Sequence, residues 1–305
     1  MSILSILNKQ TKAGYIAIVG LPNAGKSSLL NAILGTKLSI VTSKPQTTRK
    51  SVIGIHTTNN AQLIFIDTPG ILKPNYELQE IMVSYLKEAI SSSDIIALII
   101  DSSDFANSLS LIPKEIFYNL KNSDKPIIAI LSKIDKLKDT KLVLPQIQKL
   151  SEMELFRDIA PISSTKNAGI KELIDLFINY LPSQDFLFDP EDISTQNERF
   201  FVAEIIREKI FQYFKEEIPY SSDINIEQFK ERISGKWYIS ASIIIERQSQ
   251  KGIIIGAKGA KIKQIGEKAR ADIEKLLGKP VFLELFVRVR EGWRDDKDEL
   301  KEFGY

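Results

Sequence analysis

The amino-acid sequence predicts an α/β fold: a mainly parallel sheet with helices on both faces, followed by a smaller α+β domain. Three observations carry that expectation. Through residue 181, short apolar runs rich in Ile, Val and Ala alternate with longer segments of helical spacing, as in strand–helix units around a parallel sheet. From Pro182 to Asn197 the composition turns to Pro, Ser, Asp and Gln, as in Pro182-Ser183-Gln184-Asp185 and Asp189-Pro190-Glu191-Asp192, which marks a linker. Beyond it the order becomes helix, strand, strand, helix, helix, strand. The expected organisation is a first domain at 12–181, a linker at 182–198 and a second domain at 199–305.

Tyr15-Ile16-Ala17-Ile18-Val19 reads as the first buried strand, and Ser28 to Leu34 as the first helix, closed by Gly35. Between them, Gly20-Leu21-Pro22-Asn23-Ala24-Gly25-Lys26-Ser27 fills every fixed position of G-x-x-x-x-G-K-[ST] in the strand-to-helix context that motif requires. Thr36 to Lys50 is polar and without period, and it contains Gln46-Thr47-Thr48-Arg49. A loop of that length inside a compact domain is usually functional or disordered. Strands follow at about Ser51–Thr57 and Ala61–Ile66, joined by the turn Thr58-Asn59-Asn60, and the second runs into Asp67-Thr68-Pro69-Gly70. Leu78 to Ser92 has the helical spacing of Leu78, Ile81, Met82, Tyr85, Leu86 and Ala89. Ile95–Ile100 is a strand buried on both faces, and Leu111–Leu120 a helix with Pro113 in its first turn. Ile127–Leu131 is another buried strand and runs into Ser132-Lys133-Ile134-Asp135. Val143–Leu155 is helical, Asp158–Ile162 is a short strand ending in Ser163-Ser164-Thr165-Lys166, and Ile170–Leu181 closes the domain.

In the linker, Phe186, Leu187 and Phe188 need something to pack against. The second domain opens with a helix at Arg199–Glu217 that gathers Phe201, Ile205, Ile206, Ile210 and Phe214 on one side. Strands at about Ser222–Phe229 and Lys236–Glu246 flank the turn Ser234-Gly235. The apolar triplet Ile253-Ile254-Ile255 leads into Gly256-Ala257-Lys258-Gly259, followed by a helix at Ala260–Leu277 and a strand at Val281–Val289. Residues 247–279 hold nine Lys or Arg and three acids, a surplus of six, whereas the whole chain carries only +2. A basic stripe beside a glycine loop is an electrostatic footprint for phosphates, although a solvated helix face has the same composition.

Composition sets limits. With 43% hydrophobic and 26% charged residues the chain can bury an ordinary core, and its small net charge confines any nucleic-acid surface to one region. The lack of cysteine excludes disulfides and thiolate metal sites and fits a reducing cytoplasm. The single histidine, His56, argues against histidine-based catalysis or zinc and reads as a surface strand residue. No apolar run approaches the ~20 residues of a membrane span. Met1–Lys9 lacks the basic front and cleavage site of a signal peptide and reads as a short frayed or amphipathic lead-in.

The chemistry concentrates at strand ends. A glycine loop that opens a helix points backbone N–H groups and the helix dipole at phosphates; here it is Gly20 to Ser27, continued by Ser28. Lys26 would reach the terminal phosphates and the Ser27 hydroxyl would hold Mg2+. A threonine in the following loop can give its hydroxyl to the metal and its N–H to a γ-phosphate. Thr47 and Thr48 are the candidates, with Thr48 as metal ligand, though the pair also suits a plain solvated loop. Asp67 ends an apolar strand, where a carboxylate holds Mg2+ through water; with Thr68, Pro69, Gly70 and Ile71 it forms the second side of the site, Gly70 offering its N–H to a γ-phosphate. Asp135 can accept two hydrogen bonds from the N1–H and amine of guanine, whereas adenine would turn an unprotonated N1 towards it, so such a contact discriminates by roughly 10⁴ or more. The Lys133 stem can lie along the base plane; Ser132 and Ile134 complete that segment, and Ser163, Ser164 and Thr165 lie at the next strand end. Carboxyl ends of strands are where α/β sheets bind ligands.

Gly20–Ser27, Thr47-Thr48, Asp67–Gly70, Ser132–Asp135 and Ser163–Thr165 resemble the five nucleotide motifs of translation-factor-like GTPases. Gly-x-Pro-Asn-x-Gly-Lys-Ser with Gln-Thr-Thr-Arg resembles the Era group in particular. The second half resembles a type II KH domain, whose Gly-x-x-Gly loop clamps the backbone of about four unpaired nucleotides. Glu217-Ile218-Pro219-Tyr220-Ser221, Gly292-Trp293-Arg294 and Gly304-Tyr305 are also Era-like, so the resemblance spans nearly the whole chain. It implies GTP and GDP with Mg2+, hydrolysis of GTP, and RNA contact through Lys251, Ile255, Gly256, Ala257, Lys258, Gly259, Lys261 and Lys263. It further implies binding to the 3′ end of small-subunit ribosomal RNA, a role in assembling the 30S subunit, a cytoplasmic protein with peripheral inner-membrane contact, and no stable oligomer. Three departures stand out: Ile71 in place of the glutamine that orients the attacking water, Ser132 in place of the asparagine that opens Asn-Lys-x-Asp, and Ser164 in place of alanine. Some relatives place K+ beside the phosphates, held partly by the P-loop asparagine. Asn23 matches that position, and Pro22-Asn23 is turn chemistry in any case. The residues this implies for catalysis are Lys26, Asn23, Thr48 and Gly70. A metabolic phosphotransferase would need an acceptor pocket and a base that the sequence does not offer. A docking GTPase whose second domain binds a protein or membrane is the remaining alternative.

Overall fold

The computed structural model describes residues 11–305, so the reading of Met1–Lys9 lies outside the described residues. The chain forms two units: one from the segment ending at Ser39, Thr48–Lys73 and Met82–Thr195, the other from Ile40–Thr47, Pro74–Ile81 and Gln196–Tyr305.

In the first unit, β1 (Lys12–Gly20), β2 (Val52–Thr57), β3 (Ala61–Asp67), β4 (Ile95–Asp101), β5 (Ile127–Ser132) and β6 (Asp158–Pro161) form one sheet in the order β2-β3-β1-β4-β5-β6. Only the β2–β3 pair is antiparallel. β3 and β5 are buried at every residue and β4 at all but Asp101. Strands covered on both faces need no polar alternation, which is why they read as continuous apolar runs. β1 lies between β3 and β4, so the strand order reverses there and its carboxyl end opens a crevice for a ligand. The helices of this half are α1 (Lys26–Leu34), α2 (Glu77–Ser92), α3 (Phe105–Leu111), α4 (Lys114–Lys121), α5 (Val143–Ser151) and α6 (Ile170–Tyr180). α6 buries Ile170, Leu173 and Phe177, and the Phe177 ring meets Phe65 edge-on at 5.7 Å.

Two helical stretches of this unit differ from expectation. Leu111–Leu120 is not one helix: α3 ends at Leu111, Ile112 is extended with ψ 122°, and Pro113 caps α4 from outside. The residue before a proline is pushed out of the α region, so the break falls there. α5 stops at Ser151, short of Leu155, and the chain turns through Glu154 at φ 52°. The linker is held through its backbone, and Leu187 stays exposed. Fully buried Gln62 accepts from the N–H groups of Leu187 (2.8 Å) and Phe188 (2.9 Å) and donates to the Phe188 carbonyl (2.9 Å).

The second unit contains α7 (Glu198–Tyr213), β7 (Ser222–Lys230), β8 (Trp237–Ile245), α8 (Gln248–Ile255), α9 (Ala260–Leu277), β9 (Val281–Val289) and α10 (Lys297–Glu302). Its sheet runs β7-β8-β9, with β8 antiparallel to β7 and parallel to β9. Alternate β8 residues Ile239, Ala241, Ile243 and Ile245 pack against Val202, Ile206 and Ile210 of α7 and Ile265, Ala269 and Ile273 of α9. The Asn197 side chain caps α7 by accepting from the Phe200 N–H at 3.0 Å. α7 ends at Tyr213, not Glu217, because Phe214 is already extended; Phe214 and Ile218 stay buried in the following turn and continue the apolar spacing. Two loops from the first half of the sequence belong to this unit. Lys44 donates to the carbonyls of Phe211 and Phe214 at the end of α7, a position that favours a cation. The Leu78 N–H donates to the Arg294 carbonyl (2.9 Å), and the Arg294 guanidinium lies 4.7 Å from the Tyr76 ring centroid.

Candidate functional site

The P-loop follows β1 at the point where the sheet order reverses, and Gly25 leads directly into α1. Lys26 is buried, and its ammonium donates to the carbonyls of Gly20 (3.1 Å) and Leu21 (2.9 Å). Burial pulls its pKa down to about 8, with the Asp67 charge opposing the fall. A buried lysine at a helix N-terminus is placed to meet phosphate. Leu21, Pro22, Ser27 and Ser28 are half-buried around it, and Ala24 is buried.

Ser27 and Thr48 come together, their hydroxyls 3.0 Å apart. Thr47 does not join them: its hydroxyl contacts that of Thr42 at 2.7 Å and donates to the Lys44 carbonyl at 2.8 Å, inside its own loop. Asp67 is fully buried at the end of β3, beside β1 in the sheet. The next residues are sewn to β1. The Thr68 hydroxyl donates to the Ile18 carbonyl (2.7 Å), and the Ile71 N–H to the Gly20 carbonyl (3.0 Å). Gly70 lies so close to the P-loop that a Cβ there would sit 2.7 Å from the Pro22 nitrogen, so only glycine lets the two loops touch. Ile71 is 5% exposed and part of the hydrophobic core, so it has no route to an attacking water.

The base-recognition end is organised by side chains. Asp135 accepts from the hydroxyls of Ser163 (2.5 Å) and Thr165 (3.2 Å). The Ser163 bond above all holds the carboxyl below its ordinary range, so it is an anion and a pure acceptor at neutral pH. Ser164 and Ile134 are half-buried between these groups in the sequence. Ser132 does work that its residue type did not announce. Its hydroxyl donates to the carbonyls of Ala24 (2.6 Å) and Ile100 (3.3 Å), which ties the P-loop to the end of β5. Lys133, at φ 58°, donates to the Asn23 carbonyl (2.6 Å) and pairs with Asp101 at 2.6 Å. Burial pushes the Asp101 carboxyl up, but the bonds from Lys133 and Ser103 outweigh it and hold the group below its ordinary range. Sequence reasoning missed Asp101, although it ends an apolar strand as Asp67 does, and β4 pairs it directly with Ser132. Asn23 is exposed at φ 61°, a conformation that asparagine tolerates.

The second unit presents the glycine loop between α8 and α9. Gly256, Lys258 and Gly259 all have positive φ (71°, 49° and 79°), and Ala257 and Lys258 are exposed at the tip. Lys251 and Ile255 are half-buried, and Lys261 and Lys263 are exposed on α9, the Lys261 ammonium lying 5.6 Å from the Phe214 ring centroid. A groove of about 290 Å³ lies between α9 and β9, lined by Ile262, Lys263, Gly266, Glu267, Arg270, Leu283 and Leu285. Of these only Lys263 was a sequence candidate; the others needed the pairing of helix and strand.

The profile of the 50S ribosome-binding GTPase family matches residues 15–133, and the KH domain profile matches residues 217–294. GTPase Era of Syntrophus aciditrophicus (strain SB) is 44% identical over 295 residues, covering 96% of this chain and 95% of that protein. GTPase Era of Thermosipho melanesiensis is 45% identical over 298 residues, covering 96% and 97%. Among solved structures, Era in complex with MgGDPNP and nucleotides 1506-1542 of 16S ribosomal RNA superposes with a TM-score of 0.92 at 40% identity, covering 97% of this chain and 99% of that one. A point variant of Aquifex aeolicus Era bound to GDP and AlF4 gives the same TM-score, identity and coverage.

Proposed function

The chain belongs to the Era family of GTPases, and from that membership we propose how its parts divide the work. The first unit binds GTP and hydrolyses it to GDP and phosphate; the second binds the 3′ end of small-subunit ribosomal RNA, in assembly of that subunit. The observation that carries the nucleotide half is a meeting at the carboxyl ends of one sheet: buried Lys26, the Ser27–Thr48 hydroxyl pair, and an Asp135 carboxylate kept ionised by Ser163 and Thr165.

Two hydroxyls in contact, with a carboxylate at the end of the neighbouring strand, are hard oxygen donors that suit Mg2+. Ser27 and Thr48 would bind the ion directly and Asp67 through water, neutralising charge between the β- and γ-phosphates. Lys26 would add its charge to the same oxygens, and the Gly70 N–H would be offered to the γ-phosphate. Buried Ile71 leaves the attacking water to main-chain groups around Thr48 and Gly70. We extend the proposal to K+ held beside the phosphates by Asn23; equal hydrolysis in K+ and Na+ would return Asn23 to its turn role. The 30S subunit is the particle this switch would meet. Peripheral membrane contact rests on the family resemblance; among the described residues no helix is long and apolar enough to cross a membrane.

Nucleotide competition tests the reading. GTP and GDP should displace a bound fluorescent GDP, ATP should not, and GTP should release phosphate in the presence of Mg2+. Equal displacement by ATP overturns the guanine assignment.

A further inference from the structure

The lysine of the base-recognition segment is held by a carboxylate that lies outside the five nucleotide motifs. Asp101 ends β4, and the pairing of β4 with β5 sets it opposite Ser132, one residue before Lys133. Its two oxygens divide the work. Oδ1 accepts from the Ser103 N–H (3.0 Å) and the Ser103 hydroxyl (2.6 Å), which caps the short 3-10 turn Ser102–Asp104. Oδ2 takes the Lys133 ammonium at 2.6 Å. The turn is itself fixed to α5: Gln146 accepts from the Ser102 hydroxyl and donates to the Ser102 carbonyl at 3.0 Å. The carboxylate therefore meets Lys133 from a braced position.

Lys133 needs such a partner. It has φ 58°, a left-handed conformation that lysine rarely adopts, and its ammonium also donates to the Asn23 carbonyl at 2.6 Å. A flexible four-carbon stem has many rotamers, and one bond to a neutral carbonyl does little to select among them. With Asp101 and Asn23 both on the ammonium, the stem is fixed at its two ends and spans from the end of β5 to the P-loop. The side chains of Lys133 and Asp101 are only 24% and 16% exposed, so solvent and salt weaken this pair less than a surface ion pair.

We propose that Asp101 is a positioning residue for guanine-nucleotide binding: by anchoring the Lys133 ammonium it holds the lysine stem along the plane of the base, and so sets how long the nucleotide stays. The inference rests on the guanine-nucleotide reading of the first unit. It adds a residue that acts through Lys133 and not on the nucleotide itself.

The test is the rate at which fluorescent GDP leaves the full chain in Mg2+ when chased with excess unlabelled GDP. It is measured for wild type, Asp101→Asn, Lys133→Met and the double variant. Asparagine keeps an acceptor for Ser103 and removes only the charge; methionine keeps an unbranched stem and removes the ammonium. Asp101→Asn should release GDP about tenfold faster than wild type, the loss of one charge-assisted hydrogen bond. In the Lys133→Met background the same substitution should change release by about twofold or less, because the group it acts through is gone. An equal acceleration in both backgrounds would mean that Asp101 supports the fold and not Lys133. No acceleration in either would mean that Asn23 alone holds the ammonium. Each of these results overturns the proposal. Asp101→Ser, which also keeps an acceptor for the turn, takes the place of the asparagine variant if circular dichroism shows the latter unfolded. If wild-type protein binds no GDP, the guanine reading itself falls, and this inference with it.

Discussion

Lys26 should make nucleotide affinity depend on pH above neutrality. In the structure it is buried against backbone carbonyls with a pKa of about 8 in place of 10.5. That gap corresponds to about 3 kcal/mol held against the charged form. The sign for stability is that of a base whose folded pKa is depressed: the penalty is full below pH 8 and fades as pH rises towards 10.5. Binding works the other way. Phosphates at the ammonium restore the pKa to 10.5 or above, so complex formation takes up a proton between about pH 8 and 10.5. With about one-eleventh of the free protein protonated at pH 9, affinity for GDP should fall about tenfold between pH 7 and 9, or about 1.4 kcal/mol. Calorimetry in buffers of different ionisation enthalpy should record uptake of about 0.9 proton at pH 9 and close to none at pH 7. Lys26→Arg, which stays charged throughout, separates this effect from titration of the guanine base: it should bind more weakly but lose the proton uptake. Flat wild-type affinity over this range, with no proton uptake, would refute the claim that Lys26 waits partly neutral for phosphate.

Other substitutions probe the remaining parts. Asp135→Asn should move preference from guanine to xanthine nucleotides, because the amide donates where xanthine has a carbonyl; retained guanine preference in a competition assay counts against the base contact. Ser132→Ala removes the hydroxyl that holds the Ala24 carbonyl and should lower the unfolding free energy by about 1–3 kcal/mol, the cost of a buried acceptor left unpaired, with Ser132→Asn restoring most of it. Unchanged stability of the alanine variant in urea unfolding would mean the tether is idle. Replacing Ala257 and Lys258 together by Asp puts two negative charges at the tip of the glycine loop, each repulsion worth about 1 kcal/mol or more at short range. RNA affinity should drop about tenfold to a hundredfold while hydrolysis without RNA stays the same; wild-type RNA binding at equal salt would instead favour the docking alternative.

What could be read from the sequence was what short-range patterns encode. β3, β4 and β5 were visible because both faces are buried and no polar residue interrupts the run. The strand–loop–helix around Lys26 was visible because its spacing is itself the phosphate cradle. α3 was missed, since Phe105–Leu111 is brief, holds two serines and lacks a side-chain cap. α7 was drawn too long because Phe214 and Ile218 are buried from an irregular turn, where apolar spacing no longer means helix. In the site, each motif was legible but the ties between motifs were not. That Ser132 serves the P-loop, and that Asp101 holds Lys133, depends on β4 and β5 lying side by side in one register. Glu267 and Arg270 were only charges in a sum until α9 packed beside β9 and gave them a groove.

The most direct measurement is the affinity of the full chain for the 3′ end of small-subunit ribosomal RNA in three states: with a non-hydrolysable GTP analogue, with GDP and without nucleotide. A GTP-governed RNA binder should hold this RNA most tightly with the GTP analogue, and several-fold more weakly in the other two states. Equal affinity in all three would contradict the account of this chain as a GTP-controlled RNA-binding switch.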